Sequence, residues 1–154
     1  LSDISCALGI SQMARLEANL ERRRQIATRY MDAFGEMEEL SLPVVERDVL
    51  PGWHLFVIQL NLGRLRVDRA QIFRALLAEG IGVNVHYLPV YQHPFYKKKF
   101  GDQTGQCPVA ETAYERILSL PLSHAMTLRD ADDVIEGVRK VIRSYACNGK
   151  SRRR

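Results

Sequence analysis

Cysteine is scarce in this sequence: Cys6, Cys107 and Cys147 are the only three, too few and too scattered for a disulfide framework or a thiolate metal site. Long apolar runs are missing as well. No stretch approaches the roughly 18 residues that a membrane-spanning helix needs, and the first residues show no leader pattern. Together these gaps predict a soluble chain in a reducing, cytoplasmic setting with no membrane partner. Charge of one sign is also in short supply. The formal net charge is +4, but Lys150, Arg152, Arg153 and Arg154 supply four positive charges at the end, leaving the body neutral. A neutral body gives nucleic-acid binding little electrostatic support, so no nucleic-acid partner is expected. The basic stretch over 148–154 reads as a solvated, disordered tail.

Catalytic signatures are equally thin. The ten glycines are single and dispersed, so no glycine-rich loop can cradle a phosphate at the start of a helix. His54, His86, His93 and His124 lack the spacing or neighbouring carboxylate of a metal site, and none is assigned to a metal. No serine lies in a nucleophile-elbow context. Lysine is the most telling shortage. Lys97, Lys98 and Lys99 form a run on a short exposed helix, Lys140 falls on the polar side of the last helix, and Lys150 is in the tail. Schiff-base chemistry needs a lysine whose amine is desolvated and whose pKa is thereby lowered. None of the five has such a setting, so no catalytic residue is assigned.

What is present is a chain of 154 residues, 46% of them hydrophobic, enough to bury one core with a helical appendage. Ser2 or Asp3 can cap a helix that runs to Phe34, with Gly35 as its stop and Gly9 allowing a bend between residues 9 and 13. Its apolar stripe is Met13, Leu16, Leu20, Ala27, Tyr30, Met31 and Phe34. Within it, Glu21 to Arg24 reads either as an anion-binding patch or as a solvated helix face. Short strands are predicted over 40–45 and over 53–62, the second burying Leu55, Val57 and Ile58 after a Pro51-Gly52 turn. Asp68 and Gln71 have the form of a capping box ahead of a helix that buries Ile72, Phe73, Leu76 and Leu77 and ends at Gly80. A strand over 81–87 would place Ile81, Val83 and Val85 on one face and Asn84 and His86 on the other. A loop and short helix over 88–100 end at Gly101. A helix over 108–116 and a strand over 117–120 follow, and Thr127 caps a strongly amphipathic last helix.

This order predicts an α+β fold: a small mixed or antiparallel sheet covered by helices, with a long N-terminal helix. The organisation expected is a linking helix or bent helix pair over 1–36, an α+β domain over 37–147, and the tail. The richest polar and aromatic cluster is 84–96, where a strand leaves its sheet. Its tyrosines and histidines combine flat apolar faces with hydrogen-bonding tips, which suits a sugar or a uracil ring. The alternative is a loop packed down by its own aromatics. Trp53 and His54 read as core or edge packing.

Several segments in order make the chain familiar. Leu1-Ser2-Asp3-Ile4 through Gly9-Ile10-Ser11-Gln12-Met13 is followed by Arg22-Arg23-Arg24-Gln25-Ile26-Ala27 with Tyr30 and by Trp53-His54-Leu55-Phe56-Val57. Gly80-Ile81-Gly82-Val83-Asn84-Val85-His86-Tyr87-Leu88-Pro89-Val90, continuing to Pro94-Phe95-Tyr96, is the most specific, and Ile117-Leu118-Ser119-Leu120-Pro121-Leu122 closes the series. Together they resemble the DegT/StrS-type sugar aminotransferases, which have the type I pyridoxal-phosphate fold, from residue 1 to about 145. The resemblance implies a homodimeric parent enzyme of polysaccharide biosynthesis that transfers an amino group, usually from glutamate, to a keto group on a nucleotide-linked deoxy sugar. The histidine-tyrosine loop looks closest to members acting on UDP-linked 4-keto sugars, as in the pseudaminic-acid branch. It also implies that pyridoxal phosphate is bound by a larger N-terminal domain, so that this chain is an inactive C-terminal small domain with no cofactor of its own. His86 and Tyr87 match positions lining the sugar-nucleotide side of the cleft, with Asn84, Tyr91 and Tyr96 as further substrate-binding candidates. Two other readings stand beside this one: a stand-alone small-molecule-binding or regulatory module, and a helix-mediated interaction protein.

Overall fold

The computed structural model describes residues 2–147; the tail expected over 148–154 lies outside the described residues. The N-terminal segment forms two helices: α1 (Asp3–Met13) and α2 (Leu16–Phe34). Ser2 caps the first, its Oγ accepting from the Ser5 N–H. The interruption falls at Ala14 and Arg15, later than the bend expected between residues 9 and 13, and Gly9 stays inside α1. The Ala14 and Arg15 N–H groups bond back to Ile10 and Gln12, which completes the last turn of α1 before the chain restarts. The expected stripe is buried only in its second half: Ala27, Tyr30 and Phe34, joined by Ile26, enter the core, whereas Met13 and Leu16 are exposed.

Three short strands build the sheet: β1 (Leu40–Ser41), β2 (Phe56–Leu60) and β3 (Ile117–Leu120), antiparallel throughout and in that order. Sequence patterning misassigned the buried face of β2. Phe56, Ile58 and Leu60 are buried, while Leu55 and Val57 are only partly covered. Both alternating sets are apolar here, so the strand alone cannot choose between them. Its neighbours choose. Phe56 lies opposite Leu120, Ile58 opposite Leu118, and Leu60 opposite Leu40.

A fourth strand over 81–87 does not form. The Val83 N–H bonds to the Ile81 carbonyl two residues back, which kinks the chain, and a single antiparallel bridge between Asn84 and Ser119 remains of the expected ladder. Ile81 and Val83 are nevertheless buried, as alternation predicted.

The helical layer covers one face of the sheet. It consists of α2, α3 (Arg69–Ala78) and α6 (Leu128–Tyr145). Asp68 caps α3 by accepting from the Gln71 N–H at 2.8 Å, and Gly80 ends its turn with φ +78°. The helix buries Ile72 and Leu76, which lie four residues apart on the side that meets α6 and β3; Phe73 is partly covered and Leu77 is exposed. Thr127 and Asp130 form a reciprocal capping box at the start of α6. Ala131, Val134, Ile135, Val138, Val141 and Ile142 line its buried face. A Cβ on Gly137 would come within 2.9 Å of Ile81 Cγ1, so glycine is what lets α6 approach this close. Across the helices, the Arg29 guanidinium holds Asp132 (Nη2–Oδ2 2.7 Å) and Arg139 donates to the Ala33 carbonyl at 2.7 Å. Tyr30 donates to the Pro121 carbonyl at 2.8 Å, and burial pushes its phenol pKa up, so it stays neutral. Among the described residues no helix is long and apolar enough to cross a membrane.

Candidate functional site

The other face of the sheet carries no helix of this layer. By alternation it presents Ser41, Val57, Gln59, Ile117 and Ser119. Ser119 is nevertheless 4% exposed, because the segment after Ile81 crosses over it. Asn84 N–H donates to the Ser119 carbonyl (3.1 Å), Ser119 N–H donates to the Asn84 carbonyl (2.8 Å), and Ser119 Oγ lies 2.7 Å from His86 Nδ1. This clamp places His86, half-buried, on the face away from α2, α3 and α6. The Tyr87 ring meets the imidazole edge-on at 4.5 Å between centroids and is 71% exposed. Asn84, His86 and Tyr87 are therefore brought together, as the sequence cluster implied. The Asn84 side chain is exposed and its Oδ1 accepts from the Val85 N–H at 2.7 Å.

Tyr91 and Tyr96 have different settings. Tyr91 sits in a short 3-10 turn (Val90–Gln92) and its hydroxyl donates to Glu111 Oε1 at 2.7 Å. The same carboxylate oxygen accepts from the Gly105 N–H at 2.8 Å. Partial burial and this carboxylate push the Tyr91 phenol up to about 12, while the Tyr91 and Gly105 hydrogen bonds hold Glu111 below its ordinary range. The Tyr91 hydroxyl thus ties the loop to α5 (Pro108–Tyr114). Tyr96 lies on α4 (Pro94–Phe100), stacked on Phe100 at 6.3 Å and edge-on to Phe95 at 5.2 Å. Those three rings pack among themselves yet leave Phe95 and Phe100 largely in solvent.

Trp53 packs on Phe56 at 5.5 Å between ring centroids. The turn expected at Pro51-Gly52 does not form: the hydrogen-bonded turn lies earlier, where the Val49 N–H bonds to the Glu46 carbonyl at 3.1 Å, and the left-handed residue is Trp53, at φ +43°, a rare conformation for a bulky side chain. It borders a groove of about 270 Å³ on the face away from α2, α3 and α6, beside Leu42, Val57 and Gln59. In the Arg22 to Arg24 run, Arg24 pairs with Glu21 and Arg22 donates to the Gln25 amide, while the Nε atoms of Arg23 and Arg24 are enclosed without a partner among the described residues. Ser119 and Glu111 were not singled out from sequence. Alternation between Leu118 and Leu120 could have put Ser119 on the outer face, but nothing local links it to His86.

A family model described as the DegT/DnrJ/EryC1/StrS aminotransferase family matches residues 1–139. The chain belongs to that family. Among relatives of this DegT/StrS-family chain, the spore coat polysaccharide biosynthesis protein SpsC of Bacillus subtilis is 42% identical over 142 residues, covering 92% of this chain and 36% of that protein. The UDP-4-amino-4,6-dideoxy-N-acetyl-beta-L-altrosamine transaminase of Campylobacter jejuni is 36% identical over 149 residues, covering 94% and 39%. Helicobacter pylori PseC, an aminotransferase involved in the biosynthesis of pseudoaminic acid, superposes with a TM-score of 0.84 at 25% identity, over 94% of this chain and 38% of that one. The DegT/StrS-family chain therefore spans little more than a third of the length of these relatives. Both the α+β fold and the family expected from the sequence hold.

Proposed function

We propose that this chain is the C-terminal small domain of a pyridoxal-phosphate-dependent aminotransferase acting on a nucleotide-linked deoxy sugar, with glutamate as amino donor. The observation that carries this reading is the His86–Tyr87 pair, clamped by Ser119 on the face of the sheet away from α2, α3 and α6. The family match and the printed activity of the Campylobacter relative support a UDP-linked 4-keto sugar as substrate class. In this reading the parent is a cytoplasmic homodimer, residues 1–36 link its two domains, and residues 37–147 carry the substrate loop.

The chain's own described residues do not fit a covalent site for pyridoxal phosphate. Lys97 pairs with Asp102 at 3.5 Å, Lys99 lies over the Phe95 and Phe100 rings, and Lys140 holds Glu79 at 2.7 Å. Lys98 is exposed. Each meets a carboxylate, an aromatic face or solvent, and none is enclosed in the apolar pocket that would turn its amine into a nucleophile. In this reading the cofactor lysine belongs to the rest of the parent. Mixing the chain with pyridoxal phosphate is expected to leave the visible spectrum of the free aldehyde. A borohydride-trappable adduct, stoichiometric on one lysine, would contradict that.

What this chain contributes is orientation: a polar edge from His86 beside the Tyr87 ring, on a loop pinned at Ser119 and at Glu111. In the parent enzyme, His86→Ala and Tyr87→Phe are expected to weaken sugar-nucleotide use while leaving cofactor absorbance intact. Each lost polar contact is worth about 1–3 kcal/mol where its partner is left buried. Steady-state kinetics check this; unchanged parameters in both variants would reduce the loop to a structural role.

A further inference from the structure

We infer that Ser119 is a positioning residue that fixes His86 in the Nε2–H tautomer, so that the imidazole offers a hydrogen-bond donor to an oxygen of the sugar nucleotide. The ligand in this statement rests on the functional reading above; the tautomer does not.

Ser119 is the buried polar side chain of the described core, at 4% exposure. A hydroxyl enclosed in that way must place its proton on an acceptor or lose the hydration it had in the unfolded chain. Among the described residues its one side-chain partner is His86 Nδ1, at 2.7 Å. A neutral imidazole has one N–H and one bare nitrogen, and which nitrogen is protonated follows from what the other one meets. With the proton on Nδ1, the ring would donate to Ser119 Oγ and leave the serine O–H with no acceptor. With Nδ1 bare, the serine O–H donates to it and both groups are satisfied. The second arrangement puts the imidazole proton on Nε2.

The geometry around the ring keeps that proton aimed. The two backbone hydrogen bonds between Asn84 and Ser119 hold the chain two residues before His86, and the Tyr87 ring blocks one side of the imidazole at 4.5 Å. Nε2 has no partner among the described residues and is not one of the enclosed polar atoms left without one, so it faces an accessible space. A neutral N–H donor beside an exposed aromatic face suits a ligand that pairs a flat or pyranose ring with hydroxyl, keto or phosphoryl oxygens. A sugar nucleotide has all of these.

Nitrogen-15 spectra of the histidine-labelled full chain read the tautomer directly. The expected result is a pyridine-like Nδ1 and a protonated Nε2 at His86 in the wild type, a mixed tautomer in Ser119→Ala, and restoration in Ser119→Thr, which keeps the hydroxyl on a strand-compatible side chain. A protonated Nδ1 in the wild-type chain, which needs no variant to observe, would overturn the inference. So would a tautomer unchanged in Ser119→Ala. Titration with a UDP-linked hexose should shift the His86 Nε2 signal, with affinity about tenfold weaker in Ser119→Ala and near wild type in Ser119→Thr. A wild-type chain with a protonated Nε2 that the sugar nucleotide never perturbs would reject the ligand assignment and uphold the Ser119–His86 geometry.

Discussion

Replacing Phe56 by alanine is expected to cost about 3–5 kcal/mol of folding stability, whereas Val57→Ala, one residue along, should cost less than about 1 kcal/mol. Phe56 is fully buried at the centre of an aromatic group: Tyr30 meets it edge-on at 5.1 Å and Trp53 lies at 5.5 Å. Across the sheet it faces Leu120. Removing the ring would strip contacts from all three and leave a cavity that the sheet and α2 cannot both collapse into. A domain of ordinary stability has about 5–15 kcal/mol in total, so the loss would bring this one close to unfolding at ambient temperature. Val57 points to the opposite face, away from α2, α3 and α6, and is already partly in water. Paired denaturant titrations measure the difference. Equal losses at the two positions, or a larger one at Val57, would mean that β2 buries the opposite face and that the site described above is misplaced.

The chain alone is expected to self-associate through α1, and glutamates at Leu8 and Ile10 should return it to a monomer. No residue of α1 is buried: Ile4 is 84% exposed, Leu8 62%, Ile10 73% and Met13 65%. These side chains are distributed around the helix rather than along one stripe, the pattern of a helix enclosed by other protein. Contiguous apolar patches beyond a few hundred Å² are rarely left in water. The proposal that this chain belongs to a parent about three times its length accounts for the mismatch, since further protein would then cover α1. Without it, a second copy is the nearest apolar surface. Light scattering on the wild-type chain, on Leu8→Glu with Ile10→Glu, and on a chain lacking residues 1–16 tests this. A monomeric wild type with α1 packed on its own core would favour the stand-alone module instead.

Some of this architecture was readable because its causes are local. Thr127 and Asp130 satisfy each other's backbone N–H groups within one turn, so the start of α6 is encoded in four consecutive residues. Its buried face repeats with the period of the helix. Gly80 and Gly101 adopt positive φ where an L side chain would be strained, which marks both helix ends from sequence. Asn84 and His86 are two residues apart, so an extended backbone keeps them on one face, whereas the Tyr87 ring, which alternation would send to the other, meets His86 only because the segment departs from strand geometry.

Other features depend on residues far apart in the chain. Leu55, Phe56, Val57 and Ile58 are four apolar residues in a row, and alternation cannot say which pair faces inward. Leu40, Leu118 and Leu120 decide it, from elements on both sides. The length of the 81–87 segment suggested a strand, yet only a tertiary partner can supply a ladder, and Ser119 offers a single bridge. Arg29 finds Asp132 103 residues away, and Ser119 finds His86 33 residues away. The sequence by itself determined helix caps, turn glycines, amphipathic stripes and the cluster of candidate ligand contacts, because hydrogen bonds and side-chain periodicity act over a few residues. Only the tertiary structure decided which face of β2 is core and which nitrogen of His86 is held, because burial and pairing exist only once distant segments meet.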